Sequence, residues 1–181
     1  MSRFEFIEEF KLGADNKEQI QNLLVSCFKE EEFKERIYYK QRAHYRLLLW
    51  QGKKLIGQLG LDYRVMRLGE KPIQVLGVID FAIDPNHQGK GLGSKILNEL
   101  DHVALQYKDN IDIILLMADK PNVYKRNGYQ SKSQKLLWWG IHNHQNVDKR
   151  EDLLSDGLMI KLVNLREWDD AASLDMLGYM Y

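Results

Sequence analysis

The chain has 181 residues, 44% of them hydrophobic and 29% charged, and its formal net charge is zero. That length suits one domain with a proper core, and the composition excludes a disordered or fibrous chain. Neutrality gives no electrostatic reason to bind nucleic acid or an anionic membrane, and no apolar run approaches the length of a membrane span.

The N-terminal stretch MSRFEFIEEFKLG is charged where a secretory signal needs an apolar centre, so a cytoplasmic location is expected. Arg3–Leu12 reads as a first strand with Phe4, Phe6 and Phe10 facing inward. A helix follows, capped by Asp15 or Asn16, with Ile20, Leu23, Leu24, Cys27 and Phe28 on one face. Cys27 is the only cysteine, which rules out an internal disulfide, and its place on that stripe makes it a core residue. No Cys/His cluster has zinc-ligand spacing, so no metal is expected. Residues 30–45 mix charge with tyrosines and give no periodicity.

Three strands in hairpin order come next. Tyr45–Gln51 turns at Gly52-Lys53 into Lys54–Leu68, where Leu59, Leu61, Tyr63 and Val65 alternate with Gly60, Asp62 and Arg64. Gly69–Pro72 turns the chain into Ile73–Ile83, apolar on both faces and therefore expected at the centre of a sheet. A helix with Leu92, Ile96, Leu97, Leu100, Val103 and Ala104 on its buried stripe is preceded by Gln88-Gly89-Lys90-Gly91-Leu92-Gly93. Then come a short apolar strand at Ile111–Ala118, a helix around Asn122–Asn127 stopped by Gly128, and strands at Leu136–Ile141 and Leu158–Leu165. A polar loop, His142–Asp156, separates the last two. The expected whole is a single mixed α/β domain over residues 1–181.

Strand, glycine-rich turn and helix together form a recurrent phosphate site, because unpaired N–H groups and the positive end of the helix dipole meet there. The spacing Gly89, Gly91, Gly93 fits neither the dinucleotide fingerprint nor the P-loop. Asp80 interrupts a doubly apolar strand. A carboxylate there needs either a partner or a cleft in which desolvation raises its pKa towards a useful value.

The string Val78–Gly93, with Gln88, Gly91 and Gly93 matching Q/R-x-x-G-x-G/A, resembles motif A of the GNAT (Gcn5-related) N-acetyltransferases. The segment Val123-Tyr124-Lys125-Arg126-Asn127-Gly128-Tyr129 is similar to that family's Y-x-x-x-G-F/Y segment. The resemblance implies a mostly antiparallel twisted sheet, splayed between two central strands and flanked by helices. It implies acetyl-CoA as cosubstrate, its pyrophosphate on the amides of Gln88, Gly89, Lys90, Gly91, Leu92 and Gly93, with Asn122 as a further contact. The pantetheine arm would pair with Phe81, Ala82 and Ile83, leaving an N–H at residue 81 or 82 as oxyanion donor. Tyr124 stands where the family keeps its general acid. The base is Asp80 or a water molecule.

The acceptor is expected to be a small primary amine. Met117–Tyr124 and the acidic tail from Arg166 are weakly similar to aminoglycoside 2'-N-acetyltransferases, which points to an aminoglycoside-like polyamine. The tail then departs from that pattern by continuing to Tyr181. A solvated acidic tail packed by Trp168 is an equal reading. Acetylation of a protein or peptide, and acetyl-CoA binding without turnover, are the alternatives. Either a monomer or a homodimer fits.

Overall fold

The computed structural model describes residues 2–181. Eight strands and three α-helices follow one another in the order β1 (Ser2–Glu8), α1 (Ala14–Cys27), β2 (Tyr45–Gln51), β3 (Lys54–Leu68), β4 (Lys71–Ile83), α2 (Leu92–Gln106), β5 (Ile113–Met117), α3 (Pro121–Lys125), β6 (Gln130–His142), β7 (Gln145–Leu162) and β8 (Leu174–Tyr179). The chain divides into two compact units, one of residues up to Asp62 with Ile79–His102, the other of Tyr63–Val78 with Val103–Tyr181. Strands β3 and β4 and helix α2 each run through both.

In the first unit the strand order is β1-β2-β3-β4, and β1 and β2 pair antiparallel from Ser2↔Gln51 to Glu8↔Tyr45. The apolar stripe of α1, Ile20, Leu23 and Leu24, packs with Leu12, Phe33, Ile37, Leu48, Trp50, Leu55 and Ala82 into one core, with Cys27 and Phe28 half-buried against it. Both faces of β3 are covered between Leu55 and Asp62. On the other side of the sheet a Cβ at Gly57 would stand 2.8 Å from the Cδ1 atoms of Ile83 and Ile96, so these two side chains pack directly over the glycine. Phe33 and Ile37 give the aperiodic segment its order. They are buried in a short 3-10 turn, Glu31–Lys34, and the loop behind it.

In the second unit β4 pairs parallel with β5 through Val75↔Ile113, Leu76↔Ile114 and Gly77↔Leu115, and the pairing stops there although β4 continues to Ile83. The order goes on β5-β7-β6-β8, and β8 also pairs with the end of β3 through Arg67↔Asp175 and Leu68↔Leu174. Met66, Ile73, Val75, Ile113, Leu115, Leu136, Ile160, Trp168 and Met176 lie in its core. This is the mixed α/β, mostly antiparallel sheet with flanking helices that the motif suggested, with an interruption of pairing beside β4.

Several expectations need correction. The first strand ends at Glu8, and a 3-10 turn at Glu9–Lys11 buries Glu9 and throws Phe10 out to 83% exposure. Phe6 is also exposed and stacks on Tyr45, with ring centroids 5.2 Å apart. The N-cap of α1 is Gly13, with Asp15 inside the first turn. In the second half of β3 Met66 and Leu68 point inward while Tyr63 and Val65 are exposed, opposite to the parity expected.

The polar loop His142–Asp156 is instead a β-hairpin. Asn143 and His144 take φ of 47° and 60°, which turns β6 into β7, and the strands pair from His142↔Gln145 to Gln130↔Ile160. Its outer part is exposed on both faces, so it carries no apolar alternation to read. Glu167, Asp169 and Asp170 are exposed beside buried Trp168, in keeping with the solvated-tail reading, and beyond Asp170 the tail is ordered. It forms β8, and buried Trp168 donates its indole N–H to Gln134 Oε1 at 3.1 Å.

Candidate active site

In the first unit, the end of β4 and the loop behind it hold most of the residues singled out by the motif. Asp80 sits in β4 with φ of 50°, a left-handed conformation that asparagine and aspartate tolerate better than other L-residues. Its carboxylate Oδ2 is enclosed with no hydrogen-bond partner among the described residues. Burial pushes the carboxyl up from 3.8 to about 6; Arg46 and Lys40 oppose that rise, while Glu9 and Glu30 add to it. A carboxyl of this kind can take a proton near neutrality and release it again.

Beneath Asp80 lies a polar chain that sequence reading missed. Arg46, fully buried on β2, donates Nε to Glu9 Oε2 at 2.6 Å, Nη2 to the Ile37 carbonyl at 2.6 Å and Nη1 to Gln58 Oε1 at 2.9 Å. Gln58, also fully buried, donates Nε2 to the main-chain carbonyl of Asp80. Every member is satisfied, as a buried network must be, and loss of one charged partner costs about 3–5 kcal/mol. The readable signal was a charged residue and an amide inside strands otherwise apolar: Arg46 before Leu47-Leu48-Leu49-Trp50, and Gln58 in Leu55–Leu61.

Past Asp80, no β5 partner covers the backbone from Val78 to Ile83. The Ile83 carbonyl accepts from Gln88 Nε2 at 3.0 Å and from Cys27 Sγ at 3.3 Å, which ties the loop back to the strand. Cys27 is half-buried, and desolvation raises its thiol pKa, the opposite of an activated nucleophile.

Asp84 then clamps the entry to the loop. It accepts Asn86 N at 2.9 Å and Lys54 Nζ at 2.6 Å, with His87 Nδ1 at 3.3 Å. The Lys54 hydrogen bond is the main reason its carboxyl is held down at about 2.

The loop itself has the form of an anion cradle. Gly89 and Gly91 have φ of 75° and 73°, and neither has any atom within 4 Å of where a Cβ would be. The amides of residues 89–93 donate to no main-chain acceptor outside helices and strands. Alternating left-handed glycines followed at once by α2 aim successive N–H groups outward, at the positive end of a 15-residue helix. Lys90 Nζ is held by the Asn86 carbonyl at 2.9 Å, which keeps its charge at the loop. These residues fit a pyrophosphate.

In the second unit, α3 carries Tyr124 and Asn122. Pro121 opens this short helix, and Gly128, with φ of 83°, closes it. The Tyr124 ring packs edge-on against buried Tyr129, 5.8 Å between centroids, and its carbonyl accepts Asn127 N and Tyr129 N. Burial, helped by Asp119, pushes the phenol up to about 12, so it keeps its proton across the physiological range. Asn122 is exposed, and its carbonyl accepts Arg126 N at 3.3 Å.

Among the described residues no group of three His, Cys, Asp or Glu could hold a metal ion, and no helix is long and apolar enough to cross a membrane.

Comparison with known proteins bears on this geometry. A model of the acetyltransferase (GNAT) domain matches residues 11–131, more than half the chain. A GCN5-related N-acetyltransferase from Anabaena variabilis superposes with a TM-score of 0.57 at 18% identity, over 75% of this chain and 34% of that one. The GNAT family N-acetyltransferase YhbS from Escherichia coli, solved with CoA, gives 0.59 at 14% identity over 97% and 88%. The ribosomal-protein-S18-alanine N-acetyltransferase from Escherichia coli gives 0.55 at 16% over 92% and 97%. The chain spans about a third of the length of the Anabaena protein. No curated protein sequence matches it significantly. With its strand–glycine loop–helix unit and this match over most of the chain, the protein belongs to the GNAT acetyltransferase family.

Proposed function

We propose that the chain, acting as one domain, is an N-acetyltransferase that moves an acetyl group from acetyl-CoA directly to a primary amine. The observation that carries the reading is the loop of residues 89–93. Its left-handed glycines and unclaimed amides follow a strand whose edge from Val78 to Ile83 has no β5 partner. The amides of Gln88–Gly93 take the pyrophosphate. The edge of β4 at Phe81, Ala82 and Ile83, beyond its pairing with β5, takes the amide-bearing arm as an extra strand would be taken, and an N–H at residue 81 or 82 faces the thioester oxygen.

The chemistry needs two protons removed from the acceptor nitrogen and one supplied to the sulfur. Asp80, directly or through a water molecule, takes the proton of the incoming ammonium. The amine nitrogen then attacks the thioester carbon, the C–S bond breaks, the thiolate receives a proton from Tyr124, and the second proton of the nitrogen leaves through water and restores the phenol. No covalent enzyme intermediate forms, so Cys27 has no part in the transfer. Asn122, exposed on α3, serves as a lesser coenzyme contact.

The acceptor we favour is a small-molecule amine, with aminoglycoside-like polyamines as first candidates, in the cytoplasm. The acidic residues Glu167, Asp169 and Asp170 support a cationic acceptor, although Asp170 already pairs with Lys132 at 2.8 Å. The S18-alanine enzyme acts on a protein, which makes peptides the natural second arm of the test.

Calorimetry with acetyl-CoA, followed by thiol release over a panel of aminoglycosides, polyamines and peptides, tests the proposal. Binding with turnover on one amine class is expected. Binding without turnover on any amine leaves a coenzyme-binding module, and no binding at all removes the reading.

A further inference from the structure

The buried chain Glu9–Arg46–Gln58 ends on the one main-chain carbonyl of β4 that belongs to a left-handed residue, Asp80. A buried ion pair is weak evidence for stability as such, because desolvating both charges offsets most of their attraction. Its geometry here has another use. Gln58 spends its amide oxygen on Arg46 and its amide N–H on the Asp80 carbonyl. The orientation of the amide is therefore dictated by the guanidinium, and the Asp80 backbone by the amide. Arg46 in turn is fixed from its other side by Glu9 and by the Ile37 carbonyl.

We propose that Glu9, Arg46 and Gln58 are positioning residues for acetyl transfer, holding Asp80 in its left-handed conformation and setting the charge against which its carboxyl exchanges a proton. This rests on the reading of Asp80 as the base. The charged groups that act on Asp80 are Arg46 on β2, Glu9 in the turn after β1, and Glu30 and Lys40 in the segment between α1 and β2. Glu30 and Lys40 act in opposite directions, and so do Glu9 and Arg46. Adding or removing one charge beside Asp80 shifts its proton affinity.

Two substitutions at Gln58 separate the two effects. Gln58→Met keeps the bulk and loses the donor to the Asp80 carbonyl. Gln58→Glu loses the same donor, keeps an acceptor for Arg46 and adds a negative charge, so its difference from Gln58→Met isolates the charge. The readouts are the titration of the Asp80 carboxyl carbon by NMR, assigned by its disappearance in Asp80→Asn, and the pH profile of kcat/KM with acetyl-CoA and the amine found active.

Gln58→Glu is expected to raise the Asp80 midpoint by about one pH unit and carry the acidic limb of the profile with it. Gln58→Met is expected to lower kcat about tenfold with acetyl-CoA binding intact, the loss that a misplaced base brings. Should Gln58→Glu fail to fold, Glu9→Gln reads the same coupling with the opposite sign, a lower midpoint. An unmoved midpoint in Gln58→Glu together with wild-type kcat in Gln58→Met overturns the inference. If Asp80→Asn itself keeps wild-type kcat, the base assignment falls instead, and the NMR midpoints report on the network regardless.

Discussion

Asp80 and Asp84 lie four residues apart, one inside β4 and one just past its end, and the fold treats them in opposite ways. Asp84 is surrounded by donors, Lys54 and the main-chain and side-chain amides of Asn86, and its carboxyl is held down at about 2. Asp80 is enclosed with one oxygen unpartnered and is pushed up to about 6. Burial costs a carboxylate only when donors are withheld. The strand withholds them at Asp80, and the loop supplies them at Asp84. The first is suited to exchanging a proton, the second to fixing the start of a loop.

The largest effect should come from Asp80→Asn. If Asp80 is the base, kcat falls by about 10³, within the usual range for a general base, while acetyl-CoA affinity by calorimetry stays as it was. The same substitution should stabilise the protein. With the folded-state pKa raised from 3.8 to about 6, the penalty for burying the carboxyl is absent below about pH 4, grows as pH rises towards 6 and is complete above it. The charged side chain then costs about 3 kcal/mol at pH 8. Asparagine in place of Asp80 also suits the left-handed backbone. A higher Tm at pH 8, with little gain at pH 4, is the expected pattern.

Tyr124→Phe comes next, with kcat down about 10² and acetyl-CoA binding retained, if the phenol donates to the departing thiolate. Gly91→Ala should weaken acetyl-CoA about tenfold, since a side chain at φ of 73° costs on the order of 1–2 kcal/mol and shifts the amides that flank it. Asp84→Asn sharpens the contrast with Asp80 at the smallest scale. Its lowered pKa stabilises the fold above about pH 4, and that contribution is lost as pH falls towards 2. Because Lys54 is largely in water, the loss at neutral pH should be only about 1 kcal/mol, read as a small drop in Tm.

Legibility in the sequence followed how each residue is constrained. The hairpin β2–β3, the central β4 and the buried stripe of α2 were readable because apolar spacing there reports directly on covered faces. The glycine loop was readable because left-handed backbone leaves a residue-type signature. Three features were not. The outer β6–β7 ribbon is solvated on both faces and looks like loop. Strand β8 includes a left-handed Leu177 and an irregular register against β6, which breaks its alternation. The inward parity after Asp62 reverses because the earlier part of β3 is buried on both faces, so its pattern carries no phase into the later part.

Of the site, Asp80 could be suspected from a carboxylate in an apolar strand, but not its φ or its missing partner. Glu9 and Arg46 are 37 positions apart, and only the antiparallel pairing of β1 with β2 brings them into contact.

The most direct test of the whole account is to compare wild type with Asp80→Asn in two measurements on the same preparations: acetyl-CoA Kd by calorimetry, and amine-dependent thiol release over the acceptor panel. The account predicts equal Kd values, turnover of at least one amine by the wild type, and turnover lower by about 10³ in the variant. Wild-type protein that binds no acetyl-CoA, or an Asp80→Asn variant that turns over as fast as wild type, would contradict it.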